Sequence, residues 1–444
     1  MSLRNMDVQE FIDSIRFGFT QKLLLLLCFI IVALDGFDTA SIGFIAPVLK
    51  QDWGVNPGQL GALFAAGLIG LTFGALLFGP LADRLGRKKI LLISVLFFGL
   101  GSLLSAFSPN MLSLIILRLI TGIGLGGAMP TAITLMSEYS PSTKKSTFVT
   151  LMFCGFTIGS ALGGILSAQL IPFIGWRGIL FLGGVCPLIL LPVFYIFIPE
   201  SLRFKVLKKH PKHQIDALIK KLSPTISTCP QLHANVEEKI NSSVRDLFNS
   251  KFAFSTILIW IVYFMSLMTI YLISSWLPTL LTNIGHSLKS ASMITAVFQV
   301  GGTAGSILLG YLMDKMGGNR ILSTSYILGA IFVVFSGLFS HQLILLILTM
   351  FAVGFFISGG QTGMNAYSAN FYPTHCRATG VSWANAVGRA GSVIGSFIGG
   401  WLMALDLNIT MILSLLAIPA IIASFSLFIL NRKSHKNLLA MESN

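Results

Sequence analysis

The chain is written mostly in long apolar blocks. Twelve of them, at about 22–48, 58–80, 90–108, 111–138, 146–170, 176–198, 252–282, 290–312, 321–340, 342–370, 378–403 and 409–431, are separated by short polar links. Each block is close to or above the length a helix needs to cross a ~30 Å hydrocarbon core at ~1.5 Å per residue. One link differs from the rest. Residues 199–251, beginning PESLRFKVLKKHPKH, are long, polar and basic, and they divide the blocks six and six. The expected organisation is an N-terminal segment 1–21, a six-helix half 22–198, a central loop 199–251, a second half 252–431 and a tail 432–444.

The two halves repeat one another. GPLADRLGRKK (79–89) matches GYLMDKMGGNR (310–320) at a shift of 231, and the same shift carries Gly70 and Gly74 onto Gly301 and Gly305. At a shift of 232, Gly122, Gly159 and Gly163 fall on Gly354, Gly391 and Gly395. The expected fold class is therefore an all-α membrane protein, with twelve transmembrane helices in two pseudo-symmetric six-helix halves around a central cavity. Gly155, Gly159 and Gly163, and again Gly391, Gly395 and Gly399, recur every fourth residue and give smooth helical faces that allow close approach or sliding.

Composition agrees with this reading: 54% of residues are hydrophobic, 10% are charged, and mean hydropathy is +0.82. The net charge of +14 invites a nucleic-acid reading. Charge placement favours topology instead. With the N-terminus in the cytoplasm, 25 of the 30 Lys and Arg fall on cytoplasmic segments and only Lys50, Arg177 and Lys289 fall outside. No nucleic-acid partner is expected, and both termini are placed in the cytoplasm of a multi-pass inner-membrane protein. The polar N-terminus and long first block read as an anchor rather than a cleaved signal. Phe11, Ile12, Ile15 and Phe19 could line one side of a short surface helix. The five Cys show no metal or redox spacing, and no cofactor or metal is expected.

The repeated loop and RLITGIG (118–124) resemble the major facilitator superfamily over essentially the whole length. DGFDTASIGFIAPVL, in the first span, is similar more narrowly to the aromatic acid:H+ symporter family. The resemblance implies a transporter rather than an enzyme. It also implies a gating role for Gly79, Asp83, Arg84, Gly86 and Arg87, with Asp314 in the matching second-half loop; Glu138, at the cytoplasmic end of its helix where it can meet the basic loop Arg84 to Lys89, reads as a further gate residue. The second-half loop departs from the superfamily pattern at Gly318 and Asn319, which implies a less charged gate there.

Five ionisable residues fall within or at the edge of spans: Asp35, Asp38, Arg118, Glu138 and Arg389. Each would cost about 2.5–3.5 kcal/mol at the centre of a lipid-facing helix, so each must pair or face water. Counting along the helices puts Asp35 and Asp38 about 20–24 Å from the cytoplasmic end and Arg118 at a matching level, so Arg118 is expected to pair with one of them. The two acids lie on one helical face, about 5–6 Å apart, and are the candidate proton-coupling residues. Arg389, about 15 Å into its span with no acid at that depth in the second half, reads as an unpaired cation suited to a carboxylate, the alternative being a structural Arg paired across the cavity with the acids of the first helix. Trp383 and Asn385 on its own helix, with Gln361, Asn365 and Tyr367 on the one before, are the candidate lining.

The expected function is proton-coupled import of a small organic acid anion. The resemblance makes it an aromatic carboxylate of the benzoate or hydroxybenzoate type, moved by alternating access. Its partners are the anion, H+ and the lipid bilayer, and a monomer suffices. A symporter for a dicarboxylate or cyclic hydroxy acid stays open. An efflux antiporter is disfavoured by Ser160, where that class carries Pro. An intramembrane aspartyl protease would need its acids on two helices.

Overall fold

Hydrocarbon offers no partner to a backbone amide, so each apolar block must satisfy its own N–H and C=O groups as a helix. The computed structural model of the protein has this form. It describes residues 5–224, 226, 229–234, 247–248, 252–372, 376–405 and 407–442; most of the C-terminal part of the expected central loop lies outside them. The first half comprises α2 (Phe19–Trp53), α3 (Pro57–Leu85), α4 (Arg87–Ser105), α5 (Met111–Glu138) and α6 (Lys145–Phe197). α6 holds the fifth and sixth expected spans, interrupted at Gly175, whose φ of 67° departs from helix. The second half comprises α9 (Ala253–Asn283), α10 (Leu288–Met316), α11 (Gly318–Leu338), α12 (Leu343–Phe371), α13 (Arg377–Ala404) and α14 (Ile409–Glu442). Among the described residues ten helices are long and apolar enough to cross a membrane. The Gly175 break makes two spans of one, and α13, less apolar because of its Gly, Asn and Arg, brings the number to twelve.

Packing repeats as the sequence does. A Cβ on Gly70 or Gly74 of α3 would overlap the backbone of Leu119 or Ile123 on α5, and one on Gly301 or Gly305 of α10 would overlap Phe351 or Phe355 on α12. These are the same contacts moved by 231 and 232 residues. Gly159 lies on Ala33 of α2 and Gly391 on Phe264 of α9, so at these positions the glycine ladders give close approach within a half rather than free sliding faces. α12 contains a π-turn at Gly354–Ser358, beside the contact of Gly354 with Phe298.

Contacts sort the chain into two compact units, one of Met1–Thr39, Ile69–Gly159 and Arg177–Lys239, the other of Ala40–Leu68, Ser160–Trp176 and Ile240–Asn444. In the second unit Phe64 meets Trp276 edge to face at 5.0 Å, Lys50 reaches Asn283 at 3.3 Å, and Gly43 lies against the Ser274 carbonyl. In the first unit a small module forms outside the spans. Strand β1 (Asn5–Asp7) pairs in parallel with β2 (Gln231–His233), and α1 (Val8–Ser14) begins with an Asp7 capping box. Phe11 and Ile12 are buried in protein, with α7 (Leu202–Leu207) and α8 (Lys212–Leu222) contributing Leu202, Ile219 and Leu222 to the same core. The expected surface helix is thus shorter and docked: it ends at Ser14, and Phe19 is exposed at the start of α2.

Candidate functional site

The site grows from the DGFD turn of α2. Gly36 lets α6 approach, since a Cβ there would overlap the Phe156 backbone. Asp35 and Asp38 on either side are both buried. Asp35 accepts a hydrogen bond from Thr39 Oγ1 at 3.2 Å. Asp38 accepts from Arg118 Nη1 at 3.2 Å, from Arg118 Nη2 at the second oxygen, and from Ser102 Oγ at 2.5 Å. Arg118 is itself buried, on α5, and its Nε has no hydrogen-bond partner among the described residues. The expected ion pair is therefore present, and Asp38 is the acid that makes it. A two-pronged guanidinium with a hydroxyl beside it satisfies a carboxylate well, which is how the pair persists away from water.

A second cluster gathers at the α3–α4 link. Arg87 bridges Asp83 at 3.0 Å and Glu138 at 3.2 Å, with its guanidinium 5.4 Å from the centre of the Phe204 ring. Gly86 holds φ 109°, and a Cβ there would run into the carboxylate of Glu200. Glu200 Oε1 accepts from the backbone N–H groups of Arg87, Lys88 and Ser201 at 2.9, 3.1 and 2.9 Å, which places a negative charge at the start of α4. Tyr139 donates to the Glu200 carbonyl at 2.6 Å. Arg84 is exposed and lies outside the ion-pair cluster formed by Arg87. A Cβ on Gly79 would meet open space, as would one on Gly310 in the second half. Asp314 is exposed and forms no ion pair among the described residues, because the position matching Arg87 is Gly318.

The α12–α13 residues separate by depth. Both helices meet at the link after Phe371, so distance from that link compares them. Arg389 lies about 18 Å in, Gln361 about 15 Å, Asn385 about 12 Å, Asn365 and Trp383 about 9 Å, and Tyr367 only about 6 Å. Arg389 is half-buried and engages a neighbouring group, so it is not the bare cation expected from the acid-poor second half. Gln361 is buried, and its Oε1 has no partner among the described residues. Asn365 Oδ1 accepts from Tyr263 at 2.9 Å, Asn385 Nδ2 donates to Val381 O at 3.0 Å, and Trp383 stacks on Trp260 at 6.0 Å. Tyr367 packs against Gly318 and Phe371 near the link. It shares a helix with Gln361 but sits more than two turns from the level of Arg389, so it does not join that group.

Sequence reasoning missed Ser102 and Glu200. A serine in a span costs too little to stand out, and Glu200 looked like part of a solvated basic loop. Its signal was being the one acid between Tyr139 and Asp216.

The family model of the Major Facilitator Superfamily matches residues 28–259 and 259–443. The gallate transporter of Pseudomonas putida is 44% identical, aligned over 95% of this chain and 94% of its own. The 4-hydroxybenzoate transporter PcaK of Acinetobacter baylyi is 42% identical, over 97% and 95%. Among solved structures, the xylose transporter XylE of E. coli in a partially occluded inward-open conformation superposes with TM-score 0.70 at 18% identity, covering 93% of this chain and 98% of that one, which concerns the fold alone.

Proposed function

The chain belongs to the Major Facilitator Superfamily, a multi-pass membrane transporter and not an enzyme, and we propose that it is a proton-coupled symporter importing an aromatic carboxylate of the hydroxybenzoate type. The observation that carries the coupling is the buried Asp38–Arg118 pair. A buried guanidinium cannot shed its charge, whereas a carboxylate can take a proton. When Asp38 is charged it occupies Arg118. When a proton neutralises Asp38, its remaining carbonyl oxygen can still accept a hydrogen bond, but the Arg118 charge loses its counter-ion, and a substrate carboxylate can take that place. Proton first and anion second is then the favoured order, and neither is carried alone without leaving a buried charge unpaired.

The substrate class rests on the relatives, whose names give gallate and 4-hydroxybenzoate as what they carry. Arg389, at a mid-span depth on α13, is the second candidate for the substrate carboxylate, with Gln361 and Asn385 near its level and Trp383 and Asn365 about two turns nearer the link. The Gln361 carbonyl, without a partner among the described residues, suits a phenolic O–H. Asp35, one turn before Asp38, is the other proton-coupling acid. The movement is alternating access, with the Arg87–Glu138–Asp83 cluster latching the cytoplasmic side of the first half and the open faces at Gly79 and Gly310 available for closure. Tyr367 and Asp314 belong to the corresponding side of the second half. Lys and Arg placement supports an inner-membrane orientation with both termini and the central loop cytoplasmic.

The test compares two modes of transport in Asp38→Asn reconstituted in vesicles. Accumulation of 4-hydroxybenzoate driven by an inside-alkaline gradient should be lost. Counterflow, which needs no net proton release, should survive in either Asp38→Asn or Asp35→Asn. Full gradient-driven accumulation in both variants would show that these acids are structural.

A further inference from the structure

We propose that Ser102 is a positioning residue for proton uptake at Asp38, its single hydroxyl hydrogen serving the carboxylate when Asp38 is charged and turning to the Leu180 carbonyl when Asp38 is protonated. This rests on the reading of Asp38 as a proton carrier. Ser102 lies on α4, fully buried, with Oγ 2.5 Å from Asp38 Oδ1 and 3.2 Å from the Leu180 oxygen on α6. A hydroxyl has one hydrogen and two lone pairs, so it can donate to only one of these oxygens at a time.

The placement is not the ordinary one for a serine in these helices. Ser105, one turn further along α4, donates back to Gly101 O at 2.7 Å, and Thr121 of α5 likewise bonds the carbonyl four residues earlier in its own helix. Ser102 instead reaches across to two other helices. α6 comes close enough because of Gly183, where a Cβ would stand 3.1 Å from Ser102 Oγ and 3.3 Å from Asp38 Oδ1.

With Asp38 ionised, Ser102 O–H donates to Oδ1 and Arg118 donates from Nη1 and Nη2. A proton delivered by hydronium, which leaves as water, then bonds to Asp38 Oδ1. The hydroxyl of Ser102 rotates, donates to Leu180 O, and accepts the new Asp38 O–H at Oγ. Ser102 neither gains nor loses a proton overall. Among the described residues Arg118 of α5 is a cation bonded to Asp38 and Asp35 precedes it by three residues on its own helix, while α4 and α6 present the hydroxyl and the carbonyl. Arg118 has only donors, so it loses its charged partner when Asp38 becomes neutral and keeps only the remaining carbonyl oxygen as acceptor. Ser102 keeps one in both states and leaves no buried polar group stranded.

The experiment uses the full chain in vesicles with labelled 4-hydroxybenzoate, measuring gradient-driven uptake across a range of outside pH alongside counterflow, for Ser102→Ala, Ser102→Thr and Asp38→Asn. In Ser102→Ala, counterflow should stay within about twofold of wild type while gradient-driven uptake falls about tenfold and depends less steeply on pH. Ser102→Thr, which keeps the hydroxyl, should restore driven uptake. If Ser102→Ala does not reach the membrane, Ser102→Cys, similar in size but a poor donor, replaces it with the same expectations. Wild-type driven uptake in the variant without the hydroxyl, with Asp38→Asn inactive in that mode, would overturn the role of Ser102 and leave Asp38 as the carrier. Equal loss of both modes would mark Ser102 as packing only and overturn it too. Wild-type driven uptake in Asp38→Asn would instead remove the reading on which the role rests.

Discussion

Taking away Arg118 removes two charge-assisted hydrogen bonds from the buried Asp38 carboxylate. Both partners are at most 2% exposed, and Arg118 supplies the hydrogen bonds from Nη1 and Nη2, leaving Ser102 as the donor for which a bond is resolved. Deleting one member of such a buried pair costs about 3–5 kcal/mol, whereas replacing both charges by neutral groups of similar size can be close to neutral. Arg118→Met keeps much of the side-chain volume, so most of its penalty is electrostatic. At neutral pH Arg118→Met should therefore unfold several degrees below wild type, at roughly 2–4 °C per kcal/mol for a chain somewhat smaller than this one. The double variant Arg118→Met/Asp38→Asn should recover most of that loss. Thermal unfolding in detergent, followed by tryptophan fluorescence, measures both. Equal melting temperatures for the single and double variants would refute the claim that these two charges depend on each other.

Three further outcomes follow from other parts of the molecule. Glu200→Ala removes the acceptor for three backbone N–H groups at the start of α4, and should lower stability by about 1–2 kcal/mol, with Glu200→Gln intermediate, as read by thermal unfolding. Partial burial pushes the Asp13 carboxyl up, but hydrogen bonds from Ser142 and Gln9 outweigh it and hold it below its usual range. Its contribution to docking α1 is then present above about pH 4 and lost as pH falls through the lowered value. Asp13→Asn should thus speed proteolysis of the N-terminal segment at neutral pH, with the difference from wild type shrinking in acid. Arg389→Lys keeps the charge but loses the flat two-pronged donor, and should raise the KM for 4-hydroxybenzoate about tenfold or more at near-normal membrane level; an unchanged KM would remove Arg389 from the substrate site.

The twelve spans were legible because bilayer thickness sets their length and forces them to be helical. The Asp38–Arg118 pair was legible for a related reason: two charges in hydrocarbon must meet, and helical rise gave their levels. Depth arithmetic also separates Tyr367 from Arg389, once the α12–α13 link is taken as the common origin. What could not be read were groups whose cost is small until a neighbour arrives. Ser102 becomes informative only when α2 and α6 close on it, and Glu200 only when the positive φ of Gly86 opens room for its carboxylate. The docking of α1 belongs to the same class, since Phe11 and Ile12 would suit a membrane surface or a protein core equally well. Arg389 was misjudged in one respect. The absence of acids at its level on the second-half helices did not leave it without a partner.

Proton-coupled aromatic acid import is tested most directly by uptake of labelled gallate, 4-hydroxybenzoate, benzoate and an aliphatic dicarboxylate into vesicles holding the purified chain, with and without an inside-alkaline pH gradient. Accumulation of the aromatic acids above equilibrium only when the gradient is imposed, abolished by a protonophore and absent for the dicarboxylate, is the predicted result. Aromatic acid uptake indifferent to the gradient, or accumulation of the dicarboxylate alone, would contradict it.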